Sequence, residues 1–203
     1  MPTAPRTDHT ELLLLRGVNV GGHAKVPMAS LRRFAEEAGA TDVTTYLNSG
    51  NVLFRLPAGP GSGPGPGSAP ERDDDAERTW LAAEVSGALT RELGLSIPVT
   101  ALSRRELVTA LELLDDLPFR GGEPKLTHLF VLANAAGAGA AARRLESFDA
   151  GEDQCKVIGR FVWVRYAQAS YSSPLNLQRV EKTLGTTATA RNLTTIRHLA
   201  GQS

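Results

Sequence analysis

The sequence predicts an α+β protein made of two ferredoxin-like plaits, each a β-α-β-β-α-β unit followed by a helix. Three observations predict it. Short apolar runs bounded by Gly, Asn and Pro alternate with segments whose apolar residues recur every three or four positions. The order of these segments in the first half recurs in the second. "VTALSRREL" and "TATARNLTT" share one strand-to-cap transition, so internal duplication is the simplest account. Split β-α-β units with right-handed crossovers give the plait, and the expected domains are residues 10–117 and 124–203.

The elements follow in order. Leu12 to Val20 reads as a strand. Pro27 opens a helix at its first position, with Leu31, Phe34, Ala35 and Ala38 on one face and Gly39 just past its end. "VTTYLNSGNVLF", Val43 to Phe54, reads as two strands around a tight Asn-Ser-Gly-Asn turn. Alternating Pro and Gly, then an acidic run, predict a long disordered insertion from Pro57 to Glu77. Trp80 to Leu93 is the second helix, with Leu81, Val85, Ala88 and Leu93 inward and Gly94 as its stop; "IPVTAL" is the fourth strand. Ser103 and Glu106 form a capping box for a helix carrying Leu107, Ala110, Leu111 and Leu114.

In the second half, "LTHLFVLA" is a strand and Asn134 caps an Ala-rich helix ending near Phe148. "CKVIGRFVWVRY" is a hairpin bent at Gly159 and Arg160. Ser173 and Pro174 start a helix with Leu177, Val180 and Leu184, ended by Gly185. "TATA" is the last strand, and Asn192 caps a closing helix with Ile196 and Leu199 inward.

The plait order carries a geometric consequence. Its first and third strands are antiparallel neighbours, so the turn "RGVNVGG" after the first should meet "NSGN" before the third. That rim would collect Arg16, Gly17, Asn19, Gly21, Gly22, His23, Lys25, Asn48, Ser49, Gly50 and Asn51. Glycine lets backbone approach a ligand closely, and the helix opening at Pro27 adds a favourable terminus for an anion. Phosphate, sulfate or carboxylate fits this chemistry, with Arg16 and Lys25 as charge partners. Asn and Gly are also what tight turns need for positive φ, so a purely structural reading stands beside the ligand reading. The spacing is neither G-x-G-x-x-G nor the P-loop pattern, which points away from dinucleotides and ATP.

Composition bounds the alternatives. Lys+Arg and Asp+Glu both total 22 in 203 residues, and a net charge of zero counts against a broad footprint for duplex nucleic acid or anionic membrane. No apolar run approaches the ~18 residues of a membrane span, the N-terminus lacks a signal-peptide layout, and a cytoplasmic protein is the default expectation. The lone Cys155 reads as a small strand residue. The four histidines have no ligand spacing, so neither metal nor cofactor is expected. His23 is the candidate base and Tyr46 a candidate proton carrier. His128 and Tyr166 read as packing residues of strands, and His198 as a surface residue.

"LLRGVNVGGHAKVPMASL", "TYLNSGNVLF" and "TARNLTTIRHL" together resemble an uncharacterised bacterial family, domain of unknown function 1697. The resemblance implies two ferredoxin-like plaits and supplies no activity. By resemblance, the family's polar positions fall on Arg16, Gly17, Asn19, Gly21, Gly22, Lys25, Asn48, Ser49, Gly50, Asn51, Arg191 and Asn192. Leu193 stands where the family usually has Trp. "ASYSSPLNL" stands where it usually has a Gly-containing stretch with Ser-Lys-Leu, so a typical lysine is absent. Arg191 can orient a second anion, although an ion pair is the commoner fate of such a residue.

Three functions compete. The first is binding of a small anionic metabolite. It extends to cofactor-free group transfer, or to elimination with ring closure, in bacterial biosynthesis. The second is a protein-interaction module or one half of a two-protein complex, using exposed sheet edges. The third, single-stranded nucleic-acid binding, needs aromatics on central strands; the first strand has none, and Phe54, Phe130, Phe161 and Trp163 read equally well as core.

Overall fold

The computed structural model describes residues 9–19, 24–57, 73–135 and 139–202. The chain divides into two compact units, Met1–Arg104 and Arg105–Ser203. The first holds β1 (Glu11–Leu15), α1 (Met28–Glu37), β2 (Thr41–Tyr46), β3 (Asn51–Arg55), α2 (Asp74–Leu93) and β4 (Val99–Ser103). Its sheet runs β2-β3-β1-β4, and every neighbouring pair is antiparallel. This is the strand order of the ferredoxin-like plait.

Period-two alternation decides which side chains meet the helices. Leu13 and Leu15 of β1, with Val52 and Phe54 of β3, pack with Leu31 and Phe34 of α1 and Leu81, Val85 and Leu89 of α2. Each such side chain, once buried, stabilises the fold by about 1.5–3 kcal/mol. Leu12 and Leu14 point to the opposite face and are buried as well.

After α3 (Arg104–Asp115), which falls in the second unit from Arg105 onward, the pattern repeats. β5 (Thr127–Leu132), α4 (Ala140–Glu146), β6 (Gln154–Ile158), β7 (Phe161–Arg165), α5 (Leu177–Leu184), β8 (Ala188–Asn192) and α6 (Leu193–Ala200) follow. The second sheet runs β6-β7-β5-β8, again antiparallel throughout. Phe130, Leu132, Val162 and Val164 pack with Leu145 of α4 and Val180 of α5. Trp163 Nε1 donates to Ala110 O of α3 at 3.0 Å. The two units are similar halves, as the duplication predicts. No helix among the described residues is long and apolar enough to cross a membrane.

Four boundaries differ from expectation by more than two residues, each for a local reason. β1 stops at Leu15 rather than Val20, because Gly17 and Asn19 take φ of 64° and 55°. α2 begins at Asp74 rather than Trp80. Asp73 accepts from Ala76 N–H at 3.0 Å, and Asp74, Asp75 and Glu77 occupy the positive end of the helix dipole. The end of the supposed insertion, residues 73–77, is therefore cap and helix, while residues 58–72 lie outside the described residues. α4 starts after Gly139, which offers no side-chain cap, so Asn134 caps nothing there; glycine costs about 1 kcal/mol within a helix. α5 starts at Leu177, after the cap Asn176, whose carboxamide accepts from Arg179 N–H at 3.0 Å. Ser173 is engaged elsewhere: its hydroxyl donates to Asp153 Oδ2 at 2.5 Å and accepts from Leu175 N–H at 2.9 Å.

Candidate functional site

The rim forms where β1 ends. Leu14 pairs with Asn51 across β1 and β3, and Leu15 N–H donates to Gly50 O at 2.9 Å. The chain leaving β1 therefore runs beside the turn between β2 and β3. Asn19 ties three segments together. Its Nδ2 donates to Asn48 O at 2.6 Å and to Val26 O at 3.0 Å, while its Oδ1 accepts from Val26 N–H at 3.0 Å. Asn tolerates the left-handed conformation that aims its carboxamide this way. Asn51 is fully buried and braces the hairpin, donating to Tyr46 O at 2.9 Å and Ser49 Oγ at 3.0 Å. Gly50 packs so closely on Leu15 and Val18 that no Cβ fits.

Strain gathers at the same place. The non-glycine residues at positive φ among the described residues are Asn19, Ala24, Asp42 and Leu47. All but Asp42 lie on the segments that Asn19 ties together. A non-glycine residue in this region costs about 1–2 kcal/mol, and such outliers cluster at functional sites.

Between the segments opens a cleft of about 460 Å³ lined by Asn19, Lys25, Val26, Pro27, Met28 and Asn48. α1 begins at its wall. Pro27 occupies the cap position and supplies no side-chain hydrogen bond, and the first turn carries no acid. The first helical bond runs from Leu31 N–H to Pro27 O at 3.1 Å, so the amides of Met28, Ala29 and Ser30 precede any helical carbonyl acceptor. Lys25 and Asn48 are exposed. Together these groups offer one positive charge, a helix terminus and a carboxamide to a guest.

The structure sorts the candidates named from the sequence. Asn19, Lys25 and Asn48 line the cleft; Ser49, Gly50 and Asn51 build the turn behind it. Tyr46 ends β2 opposite Asn51. Gly17, at φ 64°, is exposed. Arg16 is half-buried, with its N–H on Pro98 O at 3.1 Å, and is not among the lining residues. Gly21, Gly22 and His23 lie outside the described residues.

Arg191 and Asn192 belong to the second unit. Asn192 Oδ1 accepts from Thr195 N–H at 2.9 Å as the cap of α6. Arg191 is buried on β8; its Nη1 donates to Thr189 Oγ1 at 2.8 Å and Ala190 O at 2.7 Å, and burial lowers its pKa to about 10. Tyr166 is a packing residue, donating to Leu175 O at 3.0 Å with its ring edge-on to His128 at 5.1 Å.

Sequence reasoning missed two groups. The apolar lining residues Val26, Pro27 and Met28 were legible only as the start of a helix. At the opposite end of β1, buried Glu11 accepts from Arg78 Nη1 at 2.7 Å, and Arg78 also reaches Asp75. Burial raises the Glu11 pKa, and Arg78 opposes that rise. The signal for Arg78 was its spacing: it precedes Leu81 by three residues and Val85 by seven, which places it on the inward face.

No curated protein matches the chain. Among solved structures, the conserved bacterial protein SP0830 from Streptococcus pneumoniae is similar, with a TM-score of 0.64, 21% sequence identity, and coverage of 96% of this chain and 98% of that one. Likeness at that identity shows the fold. The model of the family described as "Protein of unknown function (DUF1697)" matches residues 9–63, the segment holding both turns, and it is the family that the motifs resemble.

Proposed function

We propose that the protein binds a small anionic metabolite, phosphorylated, sulfated or carboxylated, in the cleft beside α1. The observation that carries this reading is the uncapped start of α1 beside exposed Lys25. Helix N-termini favour anions through their free amides and dipole. Lys25 adds a mobile ammonium donor, and Asn48 contributes a carboxamide. The clustered strain at Asn19, Ala24 and Leu47 supports the same location.

Binding is the chemistry these groups support best. Among the described lining residues no carboxylate or histidine stands ready as a base. Group transfer or elimination would use the same donors to stabilise a departing phosphate or sulfate, with His23 or Tyr46 as the proton acceptor. The nucleic-acid reading loses support, since Phe54, Phe130, Phe161 and Trp163 are buried and do not offer the stacking surface it needs.

Calorimetry with a panel of phosphorylated, sulfated and carboxylated metabolites tests the proposal. A panel member should bind, and Lys25→Ala should weaken it about tenfold, the scale of one charge-assisted contact. Affinity unchanged by Lys25→Ala would remove the site.

A further inference from the structure

We infer that the guest of this cleft is an organic anion with an apolar body, in preference to inorganic phosphate, sulfate or a small hydroxy acid. The inference rests on the anion-binding reading above and adds the other half of the ligand.

The described lining of the cleft is part polar and part apolar. Lys25 and Asn48 supply its exposed polar side chains, while exposed Pro27 and half-buried Met28, backed by the buried Val26, make up the apolar part of the described lining. Asn19, the third polar residue among the described lining residues, is already committed: both ends of its carboxamide are used in holding the segments together. Among the described lining residues, Lys25 and Asn48 then remain to hold an anionic head. A volume of about 460 Å³ falls within the roughly 300–1,000 Å³ typical of sites for organic ligands, well beyond the needs of a bare oxyanion. A hydrated inorganic ion would leave the apolar part wet and gain nothing from it. A ring or short chain attached to the anion would release that water, and each buried methylene strengthens binding by roughly fourfold. Pro27 is a rigid part of this apolar lining. Met28, at the first helical position, is unbranched and adapts to the shape of the body laid on it.

The experiment uses the full chain and three probes in calorimetry: inorganic phosphate, phenyl phosphate and phenol. Phenyl phosphate should bind at least about tenfold tighter than phosphate. Met28→Ala should reduce that advantage, and Lys25→Ala should weaken both phosphates. Equal affinity for phosphate and phenyl phosphate in the parent protein would overturn the inference and leave the anion-binding reading standing. Phenol binding as tightly as phenyl phosphate would overturn both, and failure of phenyl phosphate to bind would overturn the inference while the metabolite panel decides the anion-binding reading. The parent comparison decides the matter even if the Met28 variant does not fold.

Discussion

Gly50→Ala should be among the most damaging single-methyl additions in the first unit, and Gly17→Ala is its control. Both glycines have positive φ, 72° and 64°, so alanine at either position incurs the left-handed penalty of about 1–2 kcal/mol. Both substitutions also restrict the unfolded chain equally, so that term cancels in the comparison. The neighbours differ. A Cβ on Gly17 meets nothing within 4 Å, whereas one on Gly50 would lie 2.6 Å from Leu15 Cβ and 2.7 Å from Val18 Cγ2. Leu15 and Val18 are themselves buried, at 0% and 1% exposure, and have little room to retreat. Overpacking of this kind adds about 1–3 kcal/mol, for a total of about 2–5 against about 1–2 for the control. With a urea slope of about 2 kcal/mol/M, the Gly50 variant should unfold at least about 0.5 M urea below the Gly17 variant, followed by far-UV circular dichroism. Coincident midpoints would refute the claim that the β2–β3 turn is packed hard against the end of β1.

Two more predictions concern the second unit. Burial lowers the His128 pKa below its ordinary 6.5, so between that folded value and about 6.5 the unfolded chain binds more protons. Stability is therefore intact above about 6.5 and is lost as pH falls through the folded pKa; His128→Phe should shallow that loss, with His198, also lowered by burial, accounting for part of what remains. Identical stability-against-pH slopes in thermal melts of parent and variant would contradict this. Burial pushes the Cys155 thiol up to about 11, with Glu146 adding to the shift, so its reaction with a disulfide reagent at neutral pH should be slow in the folded protein and accelerate many-fold in denaturant; equal rates in both states would show the thiol to be exposed.

Much of the fold was legible because local rules and tertiary burial agree. The inward set Leu31, Phe34 and Ala35 reads directly from helical spacing. Gly94 and Gly185 end their helices in the left-handed conformation that their chemistry suggests. Asn192 caps α6 as its place before an apolar run implies. The rest was settled by contacts distant in sequence. Gly17 is compatible with a break, but the stop of β1 at Leu15 depends on Asn19, whose partners at Asn48 and Val26 are set by the fold. The acid run before Trp80 looks like solvated chain until its position at a helix start is known. Similarly, Asn19 and Asn51 read as ligand donors by type, yet their carboxamides secure backbone. Lys25 is legible as a charge, but the apolar lining beside it exists only once α1 is placed at the rim.

The Asn19 carboxamide has a consequence for recognition itself. Because one side chain already fastens the segments around Val26 and Asn48, those walls are set before a guest arrives. Association of the proposed guest would then spend little of its free energy on ordering backbone, so that a modest cleft could reach useful affinity through few contacts. Selectivity for that proposed guest would follow from the same bracing: walls fixed in advance discriminate by shape, whereas walls that form around a ligand accommodate many.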